Sequence, residues 1–197
     1  MKMNLKRRSS AILFMCRYEE AIDIYNKALD ISPNYSDAYR KRGVNYYRMG
    51  DSGENWNQAN EDYKKALKIN PRDAKAYNNL AVICDKQEDY NQAIEYSDKS
   101  IEADPNLSWP YHVRGCAFAK LEKYDQAFSD FDKLVELDEN SFLGYHERGR
   151  IKIQLKDLNG AISDLDKAIE LKPEDSLSYF YLSGKNKKGD PHNESPN

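Results

Sequence analysis

The sequence predicts an all-α fold built from stacked antiparallel helix pairs. The chain has 197 residues and repeats itself, because the segment 74–107 aligns with 108–141 and again with 142–175. Within each copy, small and aromatic residues recur at steps of three and four, which is helical spacing. Most copies close with a proline, which cannot continue a helix, at Pro33, Pro71, Pro105 and Pro173. A period in the thirties is typical of repeat proteins whose helix pairs share one core.

The first repeat, residues 2–35, has a degraded first half. Residues 1–16 carry basic side chains and a short apolar run. We interpret them as the first helix of a terminal repeat, because the run is too short for a secretion signal and no cleavage site follows. An incomplete N-terminus is the alternative interpretation. Tyr18 to Ile31 is predicted to be the second helix, since its apolar residues lie on one face.

The second repeat, residues 36–73, contains an insertion. The extra residues fall within Gly50 to Gln58, whose Gly, Asp, Ser and Asn content predicts a longer loop before Trp56. The next three repeats, 74–107, 108–141 and 142–175, are regular, and 176–186 supplies one capping helix. The polar segment 187–197 is predicted to be a disordered tail. Residues 1–186 are therefore predicted to form one repeat domain.

Repeated columns of residues define how the helices of a pair meet. An early tyrosine is followed four positions later by a small residue, at Gly43, Ala81, Gly115 and Gly149. The second helix has an alanine column, at Ala59, Ala93, Ala127 and Ala161. This pattern resembles the tetratricopeptide repeat (TPR), a helix–turn–helix unit. Glu139, in place of a closing proline, and Ser97 and Ser100 depart from the pattern. The resemblance implies a right-handed α-solenoid, a superhelix whose first helices line a concave groove.

The resemblance also places particular residues in that groove. They lie on first helices, outside the packing columns, and comprise Lys6, Arg40, Val44, Lys75, Asn78, Asn79, Trp109, His112, Leu143, His146 and Arg150. The earlier members are mostly basic or amide side chains, and several later ones are aromatic or apolar. This polarity predicts a protein or peptide ligand with an acidic end and an apolar segment. In the opposing interpretation, the basic residues pair with nearby carboxylates and Trp109 packs between repeats.

Other classes of function find no support in the sequence. There is no Gly-rich phosphate loop, nucleophile elbow or clustered ligand motif, so no enzyme, cofactor or metal is expected. An ion shared by His112 and His146, one period apart, would require both side chains to lean together. The odd set Cys16, Cys84 and Cys116 is interpreted as buried, reduced thiols. A net charge of −3 and the lack of a long apolar run predict a cytoplasmic protein without nucleic-acid or membrane partners.

The predicted function is therefore a non-enzymatic interaction scaffold that binds a protein or peptide segment in its groove. Two alternatives are a structural module that docks through convex or end surfaces, including self-association, and the regulatory part of a larger enzyme. A third follows from TPR co-chaperones, which grip the acidic tail of heat-shock chaperones with a Lys/Asn/Asn/Lys/Arg clamp. The clamp pattern can be aligned from the first repeat or from the second, and neither alignment reproduces the set. From the first repeat the matching positions hold Lys6, Ser10, Lys41, Lys75 and Asn79, and from the second they hold Arg40, Val44, Asn79, Trp109 and Val113.

Overall fold

The structure, a computed structural model, confirms an all-α repeat fold. It describes residues 2–50 and 53–174 together with Ser178 and Tyr181, with side chains from residue 16 onward. The described residues contain no strand and form nine helices: α1 (Lys2–Ile31), α2 (Ser36–Arg48), α3 (Gly53–Ile69), α4 (Ala74–Lys86), α5 (Tyr90–Ala103), α6 (Ser108–Lys120), α7 (Tyr124–Leu137), α8 (Phe142–Gln154) and α9 (Leu158–Leu171).

The helix boundaries follow the predicted repeat frame. First helices begin where repeats two to five were predicted to begin, at Ser36, Ala74, Ser108 and Phe142. In the last three repeats the second helix begins at the aromatic or leucine column, at Tyr90, Tyr124 and Leu158. Two positions earlier, one residue adopts a left-handed backbone, with φ of 62° at Glu88, 58° at Glu122 and 65° at Lys156. This conformation ends a helix, and here it turns the chain into the next one.

The packing columns lie where the two helices of a repeat meet. Each first helix packs on the second helix of its own repeat, in the pairs α2–α3, α4–α5, α6–α7 and α8–α9. The alanine column of these second helices is 0% exposed at Ala59, Ala93, Ala127 and Ala161. A Cβ atom on Gly115 would lie 2.8 Å from Cε1 of Phe131. The prediction that Gly115 lies in a close helix–helix contact is confirmed, and Ala127, predicted to lie there too, is fully buried.

Buried ion pairs, which the sequence analysis did not identify, also join the two helices of a repeat. Arg42 donates from Nε and Nη2 to the two carboxylate oxygens of Asp62, at 2.8 and 2.7 Å. The same two-bond geometry joins Arg114 to Asp130 and Arg148 to Asp164. The hydrogen bonds to Asp62 raise the pKa of Arg42, so its guanidinium stays charged.

The structure differs from prediction in the first repeat. Helix α1 is continuous from Lys2 to Ile31, where two helices with a break before Tyr18 were expected. Residues 2–16 lack the tyrosine and small-residue columns, so a separate first helix would have no matching surface on which to pack. Residues 2–31 contain no glycine or proline that would interrupt a helix. A continuous helix also satisfies the backbone hydrogen-bonding groups that a break before Tyr18 would leave without helical partners.

The insertion also differs from prediction. Helix α3 begins at Gly53, three residues before Trp56, so the prediction of a loop is wrong for 53–55. Glu54 in the first turn favours this extension, because its charge complements the helix dipole. Residues 51–52 lie outside the described residues. In the second repeat the insertion thus lengthens a helix.

The helices form two compact bodies, which we describe separately. The N-terminal body contains α1 to α5, up to Asp104, and the C-terminal body contains α6 to α9, from Pro105 onward. Among the described helices, none is both long enough and apolar enough to cross a membrane. Of the predicted capping helix and tail, only Ser178 and Tyr181 are described, and both are helical.

Candidate binding surface

A polar cleft in the N-terminal body contains two of the predicted groove residues. The cleft has a volume of about 620 Å³ and lies where α2 and α4 begin. Arg40 and Lys75 both line it, together with Arg72. Three carboxylates line it as well, those of Asp37, Asp73 and Asp104. The cleft is therefore mixed in charge, whereas the two predicted groove residues that line it, Arg40 and Lys75, are both basic.

The three cations of this cleft differ in how they are held. Arg40 is ion-paired with Asp37, and its Nε lies 3.2 Å from Asp73 Oδ2. Lys41 also bonds to Asp37, and this hydrogen bond lowers the pKa of the Asp37 carboxyl. The charge of Arg40 is thus neutralised locally, as the opposing interpretation expected. Arg72 and Lys75 are exposed, so their charges are available to a ligand.

The remaining predicted residues of this body are less accessible. Asn78 is 7% exposed, and its Oδ1 accepts no hydrogen bond from the described residues. Asn79 is half-buried one position further along α4. Val44 is half-buried and packs against the apolar core around Tyr63. Lys6 lies outside the residues whose side chains are described. Its place in the groove stays a prediction.

The C-terminal body presents an aromatic surface on its first helices. The Trp109 side chain is 44% exposed and stacks on the His112 ring, with centroids 4.8 Å apart and planes at 23°. Leu143 and Arg150 are half-buried on α8. Because 44% of its surface stays exposed, Trp109 can still contact a ligand.

His146 has little surface to offer a ligand. It is 5% exposed, and its Nδ1 lies 2.8 Å from Ser178 Oγ. Tyr181 meets the imidazole edge-on, with centroids 5.7 Å apart. The side chain is therefore covered by residues of the segment that was predicted to cap the stack.

The cysteines differ from the prediction of buried thiols. Cys16 is exposed, so the prediction is wrong there, and Cys84 and Cys116 are half-buried. No disulfide joins these three residues. Burial raises the pKa of the Cys84 thiol to about 11, which keeps it protonated at neutral pH. Cys116 Sγ lies 3.8 Å from His112 Nε2.

Comparison with known families agrees with this architecture. A model described as TPR repeat matches residues 17–50, and tetratricopeptide repeat models match 62–95, 110–141 and 144–175. Together they cover more than half of the chain. The chain belongs to the tetratricopeptide repeat family. In this TPR protein the last two matched segments coincide with the pairs α6–α7 and α8–α9. The first two are offset by about one helix: 17–50 spans the end of α1 and α2, and 62–95 spans the end of α3, α4 and the start of α5.

Individual relatives share the repeats at modest identity. The human "Tetratricopeptide repeat protein 6" is 44% identical over 59 residues, which are 30% of this chain and 11% of that protein. The crystal structure of MamA has a TM-score of 0.69 at 21% identity, covering 85% of this chain and 93% of MamA. The first TPR of Spaghetti (RPAP3), bound to the HSP90 peptide SRMEEVD, has a TM-score of 0.57 at 26% identity, covering 58% and 91%. MamA supports the fold of this TPR protein.

Proposed function

We propose that this TPR protein is a non-enzymatic scaffold that binds a protein or peptide segment on its first helices. Stacks of helical repeats present extended surfaces of this kind to their partners. The observation that carries the proposal is the cleft of the N-terminal body. Its volume suits a peptide segment, and two exposed cations, Arg72 and Lys75, line it. The Spaghetti domain, which is bound to an acidic peptide, supports it as a relative.

The cleft favours a peptide carboxylate over an extended polyanion. Arg72 and Lys75 attract negative charge, but Asp37, Asp73 and Asp104 line the same space. A long phosphate backbone would bring many charges against these carboxylates, and like charges repel. A peptide can place one or two acidic groups near the exposed cations and direct backbone amides at the carboxylates. In the C-terminal body, Trp109 offers a separate apolar contact through its exposed face, since aromatic anchors carry much interface energy.

The chaperone-tail alternative has less support from the residues. In the first alignment of the clamp, Lys41 is already bonded to Asp37, with 2.8 Å between Nζ and Oδ2. In the second alignment, the final position holds Val113, which is 5% exposed and has no charge to offer a carboxylate. We therefore propose acidic peptide binding without the specific tail-gripping clamp.

Reversing the two exposed charges tests the cleft. We expect Arg72→Glu with Lys75→Glu to weaken binding of an acidic peptide at least tenfold at low salt, since two attractions become repulsions. The loss should shrink at high salt, because exposed charges are screened. Binding is measured by fluorescence anisotropy, with the strongest binder from an array of peptides that end in acidic residues.

A matched variant controls for net charge. Lys64→Glu with Lys68→Glu makes the same charge change on α3, where both lysines are exposed and neither lines the cleft. It should bind the same peptide almost as wild type does. Equal losses in the two double variants would mean that total charge, not the cleft, attracts the peptide. The proposed site would then be wrong.

Replacing Trp109 tests the apolar contact. We expect Trp109→Ala to weaken binding of a peptide that carries an apolar segment, with a loss that persists at high salt because apolar burial is not screened. Ile162→Ala is the control, since Ile162 is also partly exposed, at 38%, but lies on a second helix. Circular dichroism shows whether each variant keeps its helix content. Unchanged affinity in Trp109→Ala would remove this residue from the binding surface.

A further inference from the structure

Three side chains with metal-ligand chemistry meet in the C-terminal body. His112 and Cys116 lie one turn apart on α6, and Glu147 projects from α8. One ligand atom from each, a ring nitrogen, Sγ and a carboxylate oxygen, lies within 4.8 Å of the others. All three residues are half-buried. We propose that His112, Cys116 and Glu147 form a binding site for a divalent transition metal of the zinc class.

The spacing of the ligands suits a tetrahedral ion. With zinc–nitrogen and zinc–sulfur bonds of 2.0–2.1 and 2.3 Å, two tetrahedral ligands lie about 3.6 Å apart. The observed separation between His112 Nε2 and Cys116 Sγ is 3.8 Å. The widest separation among the three ligand atoms is at most 4.8 Å. To reach the ligand separation of a tetrahedral zinc ion, it must shorten by roughly 1 Å. Rotation of the long Glu147 side chain supplies that shift, and the fourth position is left to water or to a partner's side chain.

The carboxylate of Glu147 provides a second observation. Its side chain is 14% exposed, and Oε2 is buried without an accepted hydrogen bond among the described residues. Arg150 Nη2 lies 3.0 Å from this oxygen, so the two charges are paired, but not in hydrogen-bond geometry. A buried acceptor that lacks an aligned donor costs free energy. A metal ion would satisfy it, and the Arg150 side chain, 30% exposed, can turn toward solvent.

The aromatic surroundings hold the imidazole in place. Trp109 stacks on the His112 ring, and the Phe131 ring lies 6.2 Å away at a tilt of 58°. A ring that is already held by its neighbours loses little freedom when it binds an ion. The ligand set of nitrogen, sulfur and oxygen favours zinc or cobalt over magnesium and calcium, which take oxygen ligands.

No metal was expected from the sequence because no clustered ligand motif was recognised, and the one ligand pair that was considered lies one period apart. That pair is His112 with His146, whose Nδ1 instead lies 2.8 Å from Ser178 Oγ. The informative spacing was within one helix, where residues four positions apart share a face. Glu147 could not be associated with them before the packing of α8 was known.

Cobalt absorption tests the site, because Co²⁺ replaces Zn²⁺ and a cobalt–thiolate bond gives an intense near-ultraviolet charge-transfer band. The full chain is reduced, freed of reductant under argon and titrated with Co²⁺, and Zn²⁺ is then added. We expect the band to appear with visible bands typical of tetrahedral cobalt, and Zn²⁺ to remove both. Cys116→Ser should abolish the charge-transfer band. His112→Gln and Glu147→Gln should each weaken binding at least tenfold.

Two further variants make the result specific. Cys84→Ser should leave the spectrum unchanged, because Cys84 belongs to the N-terminal body. Arg150→Met should tighten binding several-fold, because it removes a positive charge 3.0 Å from the ligand oxygen. The proposal is overturned if wild type shows no charge-transfer band, if Cys116→Ser retains it, or if Arg150→Met weakens binding as much as Glu147→Gln. Circular dichroism of each apo variant excludes unfolding as the cause of a loss.

Discussion

Replacing Arg42 by methionine is expected to lower the free energy of unfolding by about 3–5 kcal/mol, the cost typical of leaving a buried charge unpaired. Asp62, its partner on α3, has a side chain that is 3% exposed and accepts both of its hydrogen bonds from Arg42 at 2.7–2.8 Å. Arg42 Nη1 also donates to Asn26 Oδ1 on α1, at 2.7 Å. Its loss therefore removes contacts to two neighbouring helices.

Denaturant unfolding, followed by circular dichroism, measures this effect. Lys41→Met is the matched control, because the neighbouring Lys41 makes an ion pair whose side chains are 48% and 37% exposed. Exposed pairs contribute little, so this variant should unfold almost as wild type does. If Arg42→Met and Lys41→Met have equal stability, the buried pair does not hold α2 and α3 together.

The third repeat indicates how the loss can be repaired. At the positions of Arg42 and Asp62 it has Leu80 and Tyr96, which belong to the apolar core of the N-terminal body. Apolar residues often replace a buried ion pair without loss of stability. The double variant Arg42→Leu with Asp62→Tyr should therefore recover at least half of the stability lost by Arg42→Leu alone. If the double variant instead loses the sum of the stabilities lost by Arg42→Leu and by Asp62→Tyr, the two positions are not coupled and this prediction is wrong.

The fold was predictable because its signal is repeated. Several packing columns agree over consecutive repeats, and the helices begin where the columns placed them, as at Ala74 and Tyr90. The predictions of secondary structure are wrong in two segments that do not follow the repeated columns, residues 2–16 and the insertion before Trp56. Residues 2–16 have no columns, so their continuity with Tyr18 could not be read from the period. The insertion before Trp56 has a loop-like composition, but part of it extends a helix.

The candidate site was less predictable because the pairing of charges depends on neighbouring helices. Sequence columns place Arg40 on a first helix, but they do not show its two partners. Asp37 lies at the start of the same helix, and Asp73 lies in the turn that leads into α4. Conversely, Arg72 lies outside the columns, and only the cleft shows it beside Lys75. The same reason hid Glu147, whose distance from Cys116 is set by helix packing.

A leucine at Gly115 is expected to have the second large effect on stability. A Cβ there would lie 2.8 and 2.9 Å from Cε1 and Cζ of Phe131, closer than carbon atoms pack, and Phe131 is 0% exposed. Glycine is unfavourable within helices by about 1 kcal/mol relative to alanine, so the substitution also brings a local gain. Overpacking a buried contact typically costs about 1–3 kcal/mol. Because the whole leucine side chain would meet a fully buried ring, we expect the clash to outweigh the gain in helix propensity.

The other repeats support this expectation, and they provide the rescue. A Cβ on Gly43 would lie 2.7 Å from Tyr63, and one on Gly149 would lie 3.0 Å from the smaller Leu165. The third repeat instead combines Ala81 with Ser97, which is smaller still. We therefore expect Gly115→Ala to destabilise wild type but to cost less beside Phe131→Leu, since leucine lacks the two nearest ring atoms. Gly53→Leu, whose Cβ would meet nothing within 4 Å, is the control for Gly115→Leu. Denaturant melts in which Gly115→Leu is as stable as Gly53→Leu would show that α6 and α7 do not approach through this glycine.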